Sequence, residues 1–155
     1  MAFWTDEGLK DPKRQYRFVA KFAGLGSHGC SWFVKSIDKP SVSLSEASHE
    51  YLNHTFYYPG RVTWNSVSCT LVDPLEPDAV ATMMKAIELS GYAPPKDANA
   101  LGTASKSKSV AALGTVTIMQ LDGEGVETDA IEEWKLHNAW IKSVTLSGLD
   151  YSGDS

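Results

Sequence analysis

Cysteine is nearly absent. Two residues, Cys30 and Cys69, among 155 cannot frame a disulfide scaffold, and neither belongs to a CxxC pair that would hold zinc or do redox chemistry. The expectation is a reducing compartment. Long apolar runs are missing too: nothing approaches the ~18 consecutive apolar residues of a membrane span, and residues 1–10 do not show the basic-then-apolar order of an export signal. Basic residues are outnumbered, 14 Lys and Arg against 19 Asp and Glu for a net charge of -5. Lys10, Lys13, Arg14 and Arg17 form the one small basic group, too little to neutralise the several phosphates that tight nucleic-acid binding requires. An acidic surface suits a protein that lies beside DNA without holding it.

Recognisable chemistry is equally scarce. The histidines are His28, His49, His54 and His137; none sits in HExxH, and His28-Gly-Cys30 is too close-set to form a metal site without further ligands. No GxSxG elbow accompanies the many serines. The glycine-rich stretch 24–29 lacks the Lys-Ser/Thr end of a phosphate loop. Glu132 and Glu133 are neighbours on an expected strand, so they face opposite ways and cannot act on one glycosidic bond. No catalytic residue, metal or cofactor is expected, and the chain reads as a non-enzyme.

What is present is a single domain's worth of β pattern. The 43% apolar and 21% charged residues suit one globular core. Residues 15–22 alternate, with Tyr16, Phe18, Ala20 and Phe22 on one side. Residues 31–37 form a second strand, and Val42 and Leu44 mark a third, limited at its start by Pro40. Over residues 46–60 simple alternation fails: Tyr51, Leu52, Phe56, Tyr57 and Tyr58 put large side chains on both faces of an extended hairpin, so both faces need partners. In residues 61–72 the apolar parity changes between Trp64 and Val67, which predicts a bulge near Asn65-Ser66.

Helical spacing occurs over residues 77–90, where Val80, Met83, Met84 and Ile87 form a core-facing stripe, Pro77 suits the first position and Gly91 the C-terminal cap. Residues 96–114, rich in Ala, Ser, Lys and Gly, read as a long mobile loop. Strands return at 115–121 and 126–128, joined by Asp122-Gly-Glu-Gly125, and again at 131–137 and 139–147. Trp32, Trp64, Trp134 and Trp140 read as core rings, whereas Trp4, in a polar N-terminal arm over 1–14, is expected to dock on the domain or on a neighbouring copy. The sum is a mostly β domain, an antiparallel sandwich or barrel of about eight strands with one flanking α-helix and long assembly loops.

Three stretches carry a family likeness: Tyr51-Leu-Asn-His-Thr-Phe-Tyr-Tyr-Pro-Gly-Arg-Val-Thr-Trp64, Val72-Asp-Pro-Leu-Glu-Pro-Asp-Ala79, and Asn138-Ala-Trp-Ile-Lys-Ser-Val144 followed by Leu149-Asp-Tyr-Ser152. In this order, with Met1-Ala-Phe-Trp4 ahead of them, they resemble the tail tube proteins of T-even-like contractile bacteriophages over nearly the whole chain. The resemblance implies homohexameric rings stacked into a hollow tube in the virion tail, assembled in the host cytoplasm and bounded by sheath, baseplate and tail-terminator proteins. The genome would pass through the lumen without specific binding. It also implies a further strand after Leu149-Asp-Tyr-Ser152, where this sequence has only Gly153-Asp-Ser155. Six copies at -5 give a ring of 6 × -5 = -30. The assembly interface expected on this basis is Trp4, His49, Tyr51, Leu52, His54, Phe56, Tyr57 and Tyr58. The alternatives are the inner tube of a phage-tail-like contractile injection system, and a carbohydrate-binding β-sandwich that uses the aromatic residues of 51–58; a small β hydrolase has no local signature to support it.

Overall fold

The computed structural model describes residues 13–25, 33–74, 76, 78–96, 101–123 and 130–148. It is mostly β, with antiparallel sheets and two α-helices. The strands among the described residues are β1 (Phe18–Phe22), β2 (Val34–Ile37), β3 (Val42–Tyr51), β4 (His54–Trp64), β5 (Cys69–Leu71), β6 (Val116–Leu121) and β7 (Ala130–Leu136); the helices are α1 (Ala79–Leu89) and α2 (Lys106–Leu113). They form a three-stranded sheet in the order β1-β6-β7 and two-stranded pairings β2-β5 and β3-β4. The chain divides into two compact units: 1–20, 31–72 and 117–134 in the first, and 21–30, 73–116 and 135–155 in the second.

In the first unit the alternation of β1 is realised: Ala20 is buried, with Ile118, Met119 and Gln120 of β6 and Phe33 just ahead of β2. The bond from Leu121 N–H to the Arg17 carbonyl, 3.0 Å, closes one end of the β1-β6 pairing. Tyr16, which shares Ala20's parity, lies before the strand begins and is exposed.

The rest of this unit is one long antiparallel hairpin in two stretches. Paired residue numbers add to 106 at Ser36 with Thr70 and Ile37 with Cys69 of β2-β5, and again in the first stretch of β3-β4, as in Val42 with Trp64. The register therefore passes unchanged across the interruption formed by residues 38–41 and 65–68. Pro40, which has no N–H to give to a ladder, accounts for an interruption at that point. Bonds from Asp38 N–H to the Ser68 carbonyl (2.9 Å) and from Asn65 N–H to the Ser41 carbonyl (3.0 Å) close its two ends. No bulge forms at Asn65-Ser66. Register shifts fall instead between Val34 and Ser36 and between Leu44 and Glu46, the latter where Gly60 and Arg61 together oppose Ser45.

In the second unit α1 starts at Asp78, whose carboxylate accepts from Ala81 N–H at 2.8 Å, a capping bond for one of the helix's orphan donors. It closes at Ser90, followed by Gly91 at φ 106, a left-handed value that glycine accommodates without strain. Pro77 lies outside the described residues. The buried face differs from the expected stripe: Ala79, Ala86 and Ser90 are buried, Val80, Met83 and Ile87 are half-buried, and Met84 is 51% exposed. The helix approaches its neighbours through small side chains, which turns the large residues toward the margins of the contact.

Three other expectations change. Residues 106–113 within the supposed loop 96–114 are helical: α2 has Ser105 as N-cap, accepting from Lys108 N–H, and Gly114 at φ 71 as its end. Its small hydrophobic content hid it, since only Ala112 and Leu113 are buried. Among the described residues there are thus two α-helices rather than one. Residues 139–147 belong to no strand; β7 ends in a turn at His137 and Asn138, the latter at φ 58. Trp64 and Trp140 are exposed and Trp134 is half-buried, so these rings are not core. The expected strand 126–128, Trp32 and the arm up to residue 12 lie outside the described residues.

Because α1 buries Ala86 and leaves Met84 half in water, the two sites respond differently to charge. Ala86→Lys should lower the unfolding free energy by about 3 kcal/mol or more, while Met84→Lys should change it by less than about 1 kcal/mol. Urea melts of the two variants check the order, and a larger loss at Met84 would contradict this packing.

Candidate assembly surface

Every residue of β3 and β4 is exposed, ten in one strand and eleven in the other. Such a ribbon has no core of its own, and a two-stranded hairpin alone is marginally stable in water. Yet its sequence is not that of a solvated hairpin. Val42, Leu44, Tyr51, Leu52, Phe56, Tyr57, Tyr58, Val62 and Trp64 all stand in solvent. The five rings among them are half to two-thirds exposed; at about 200 Å² each they leave on the order of 600 Å² of aromatic surface in water, at the upper limit of what a monomer usually shows.

The register assigns each side chain to a face. Directly paired residues share a face and alternate along the strand, so Val42, Trp64, Leu44 and Val62 lie together at the base of the ribbon. Their reverse side is polar: Ser43 and Thr63 are paired there, and Asn65 donates to Ser41 Oγ (3.1 Å) and Ser43 Oγ (2.9 Å). Beyond the bulge the distribution reverses. Ala47 pairs with Tyr58, His49 with Phe56 and Tyr51 with His54, on the face that is polar at the base. The face that is apolar at the base continues with Glu46, Ser48 and Glu50 opposite Pro59, Tyr57 and Thr55.

The bulge makes this crossing possible. One extra residue in β4 changes its parity, so apolar positions that are even at Val62 and Trp64 remain even at Phe56 and Tyr58 and yet change sides. Gly60 is needed there because a Cβ would meet Ser45 Oγ and lie 3.0 Å from the Ser45 carbonyl oxygen. The Arg61 N–H, displaced from the ladder, donates to Ser45 Oγ at 2.7 Å.

Of the expected interface residues, the ribbon gathers His49, Tyr51, His54, Phe56 and Tyr58 on one face and places Tyr57 on the other. The His54 and Phe56 rings stand 6.5 Å apart, tilted by 53°. Leu52 occupies the two-residue turn at φ 53 and is 86% exposed. Trp4 lies outside the described residues. Val42, Leu44, Val62 and Trp64 are exposed as well; their alternation resembles an ordinary half-buried strand, and the bulge that sets them on the opposite face from Phe56 and Tyr58 has no marker in the sequence beyond Gly60.

The base of the ribbon is tied to the β1-β6-β7 sheet. Lys39, three residues before β3, donates to Gln120 Oε1 (2.7 Å) and pairs with Glu132 of β7 (2.9 Å). Lys13 pairs with the same carboxylate at 2.5 Å, and Trp134 Nε1 donates to it at 2.5 Å. Hydrogen bonds from Lys13, Trp134 and Lys39 hold the Glu132 carboxyl down at about 2. Arg17 donates to the Asp122 carbonyl at 2.9 Å and to that of Gly123, and Arg14 to the Tyr16 hydroxyl at 3.2 Å. Lys13, Arg14 and Arg17 of the basic group thus point at acceptors in their own chain, not toward one open patch.

In the second unit a groove of about 650 Å³ lies between α1, α2 and residues 140–144. Its described lining is largely alanine, serine and Trp140, with Lys106 and Lys142, and holds no acid, histidine or cysteine. Among the described residues no group of three or more His, Cys, Asp or Glu is placed to hold a metal ion, and no helix is long and apolar enough to cross a membrane.

Two outcomes test this geometry. A carboxyl lowered from its ordinary 4.5 to about 2 on folding contributes stability that is present above 4.5 and lost as the pH falls through 2. Urea melts of Glu132→Gln should therefore show a deficit at neutral pH that shrinks between pH 4.5 and 2 and vanishes below; since both lysines are exposed, the deficit is small. Leu52→Gly should relieve the positive φ and leave folding stability within about 1 kcal/mol while weakening association measured by sedimentation.

No family model matches this sequence, and no curated protein matches it.

Proposed function

We propose that this chain is a structural subunit of the tail tube of a contractile bacteriophage, assembling with its own copies into stacked hexameric rings through which the genome passes. The observation that carries the self-assembly reading is the ribbon β3-β4: ten strand positions and eleven, all in solvent, with large apolar side chains on both faces. A monomer gains nothing from such a ribbon, whereas a neighbouring copy that covers it removes apolar surface from water at about 25 cal/mol per Å². Six-fold rings, the sheath, baseplate and terminator partners, and the location in the virion follow from the family resemblance.

The charge fits the same reading. Rings of net charge -30 repel a polyanion, and repulsion lets DNA slide where a basic lumen would retain it. The same subunit would serve as the inner tube of a phage-tail-like injection system, with cargo the distinguishing feature.

Negative-stain microscopy of the purified chain should show rings or hollow tubes. Phe56→Asp with Tyr57→Asp, which places a charge on each face of the ribbon, should leave a folded protein that no longer forms them. A parent protein that stays monomeric at high concentration would refute self-assembly. Quenching of tryptophan fluorescence by oligosaccharides, with no assembly, would point to carbohydrate binding instead.

A further inference from the structure

We infer that the ribbon takes two neighbouring copies of this chain rather than one, its base half docking on one copy and its tip half on another. The inference rests on the self-assembly reading and adds a division of labour to it. The register is the basis: Val42, Leu44, Val62 and Trp64 form the apolar patch of the base on one face, while Tyr51, Phe56 and Tyr58 form that of the tip on the opposite face. Behind the base patch the ribbon is polar, with Ser43, Thr63 and Asn65, and behind the tip patch it carries Glu46, Ser48 and Glu50, with Pro59 and the single ring of Tyr57 opposite them. A body seated on one patch meets carboxylates or hydroxyls if it continues along the same face.

The areas agree with two partial contacts. Four side chains at the base are 44 to 65% exposed and three at the tip 48 to 63%. At about 150 to 250 Å² for a large side chain, each patch offers on the order of 400 Å², half of the ~800 Å² per partner that a standard interface buries. One patch is too small for a stable dimer, and the two together reach the standard size. A subunit held at both patches is retained where one held at a single patch dissociates, because the second contact forms at high effective concentration. Two contacts with two different copies let growth continue beyond a pair, giving rings or open assemblies rather than isolated dimers.

The test uses charge pairs that preserve the ribbon. Leu44→Lys with Val62→Glu replaces directly paired residues of the base by opposite charges, and His49→Glu with Phe56→Lys does the same at the tip. Each pair should weaken its own contact by more than about tenfold and leave the other intact. In sedimentation velocity the two full-length variants should therefore stop at finite species of different size or shape, both smaller than the parent assembly. One common product, whether monomer or the same oligomer, overturns the two-copy arrangement and leaves self-assembly standing; it is the result expected if twist brings both patches to one side under a single partner. Assembly of both variants like the parent overturns this inference and the role of the ribbon together. If circular dichroism shows a charge pair to be unfolded, Leu44→Thr with Val62→Thr and Phe56→Thr with Tyr58→Thr carry the same comparison.

Discussion

A two-stranded ribbon has no inside. Whatever its sequence, each face can be covered only by something outside the hairpin, and this constraint governs how the first unit of the protein is to be understood. The chain places five exposed rings on this ribbon, while the buried side chains among the described residues are modest, several of them alanine. Tertiary burial is concentrated around β6, α1 and α2, and apolar surface is concentrated on β3-β4. Burial within the chain and exposed apolar surface are thus assigned to different parts of the molecule.

The anchoring of the ribbon follows from that separation. An arm that receives force or contact at its tip needs a fixed base, and the base is fixed by polar chemistry, not packing. Lys39 reaches both Gln120 and Glu132, and the same carboxylate receives Lys13 and the Trp134 indole. These bonds join three separated stretches of the first unit at one acid, and Lys39 ties in a fourth through Gln120. The Glu132 carboxylate is directional and fully ionised at neutral pH, so it holds orientation where a greasy contact would allow sliding. Each bond on its own is weak because its lysine is exposed to screening by solvent; it is their convergence that defines a position.

Much of the fold was legible because alternation and helical spacing are local signals. β1, β2, β6, β7 and α1 all lie near their expected places, and the doubly apolar character of 46–60 could be read from Tyr51, Phe56, Tyr57 and Tyr58. The rest depended on partners that composition does not name. α2 is short, and its Ala, Ser and Lys content gives no amphipathic stripe; only the Ser105 cap and Gly114 mark its ends. Residues 139–147 alternate like a strand, but a strand exists only where another edge accepts its hydrogen bonds, and none does among the described residues. The rotation of α1 by about one position reflects a choice between large and small side chains at the contact, which periodicity alone cannot make. The parity change after Trp64 marks no bulge: four residues face four across 38–41 and 65–68, and the extra residue of β4 lies earlier, at Gly60 and Arg61, where the apolar positions keep their parity and change face, so only the pairing register reveals it.

The interruption at Pro40 has a mechanical consequence. Four residues face four, 38–41 against 65–68, so the register before the gap equals the register after it. Between the two closing bonds the strands run without a ladder, which makes this the most compliant section of the hairpin, while its equal lengths keep the two edges from creeping past each other. A change of angle at this section would thus leave every paired side chain opposite the same neighbour.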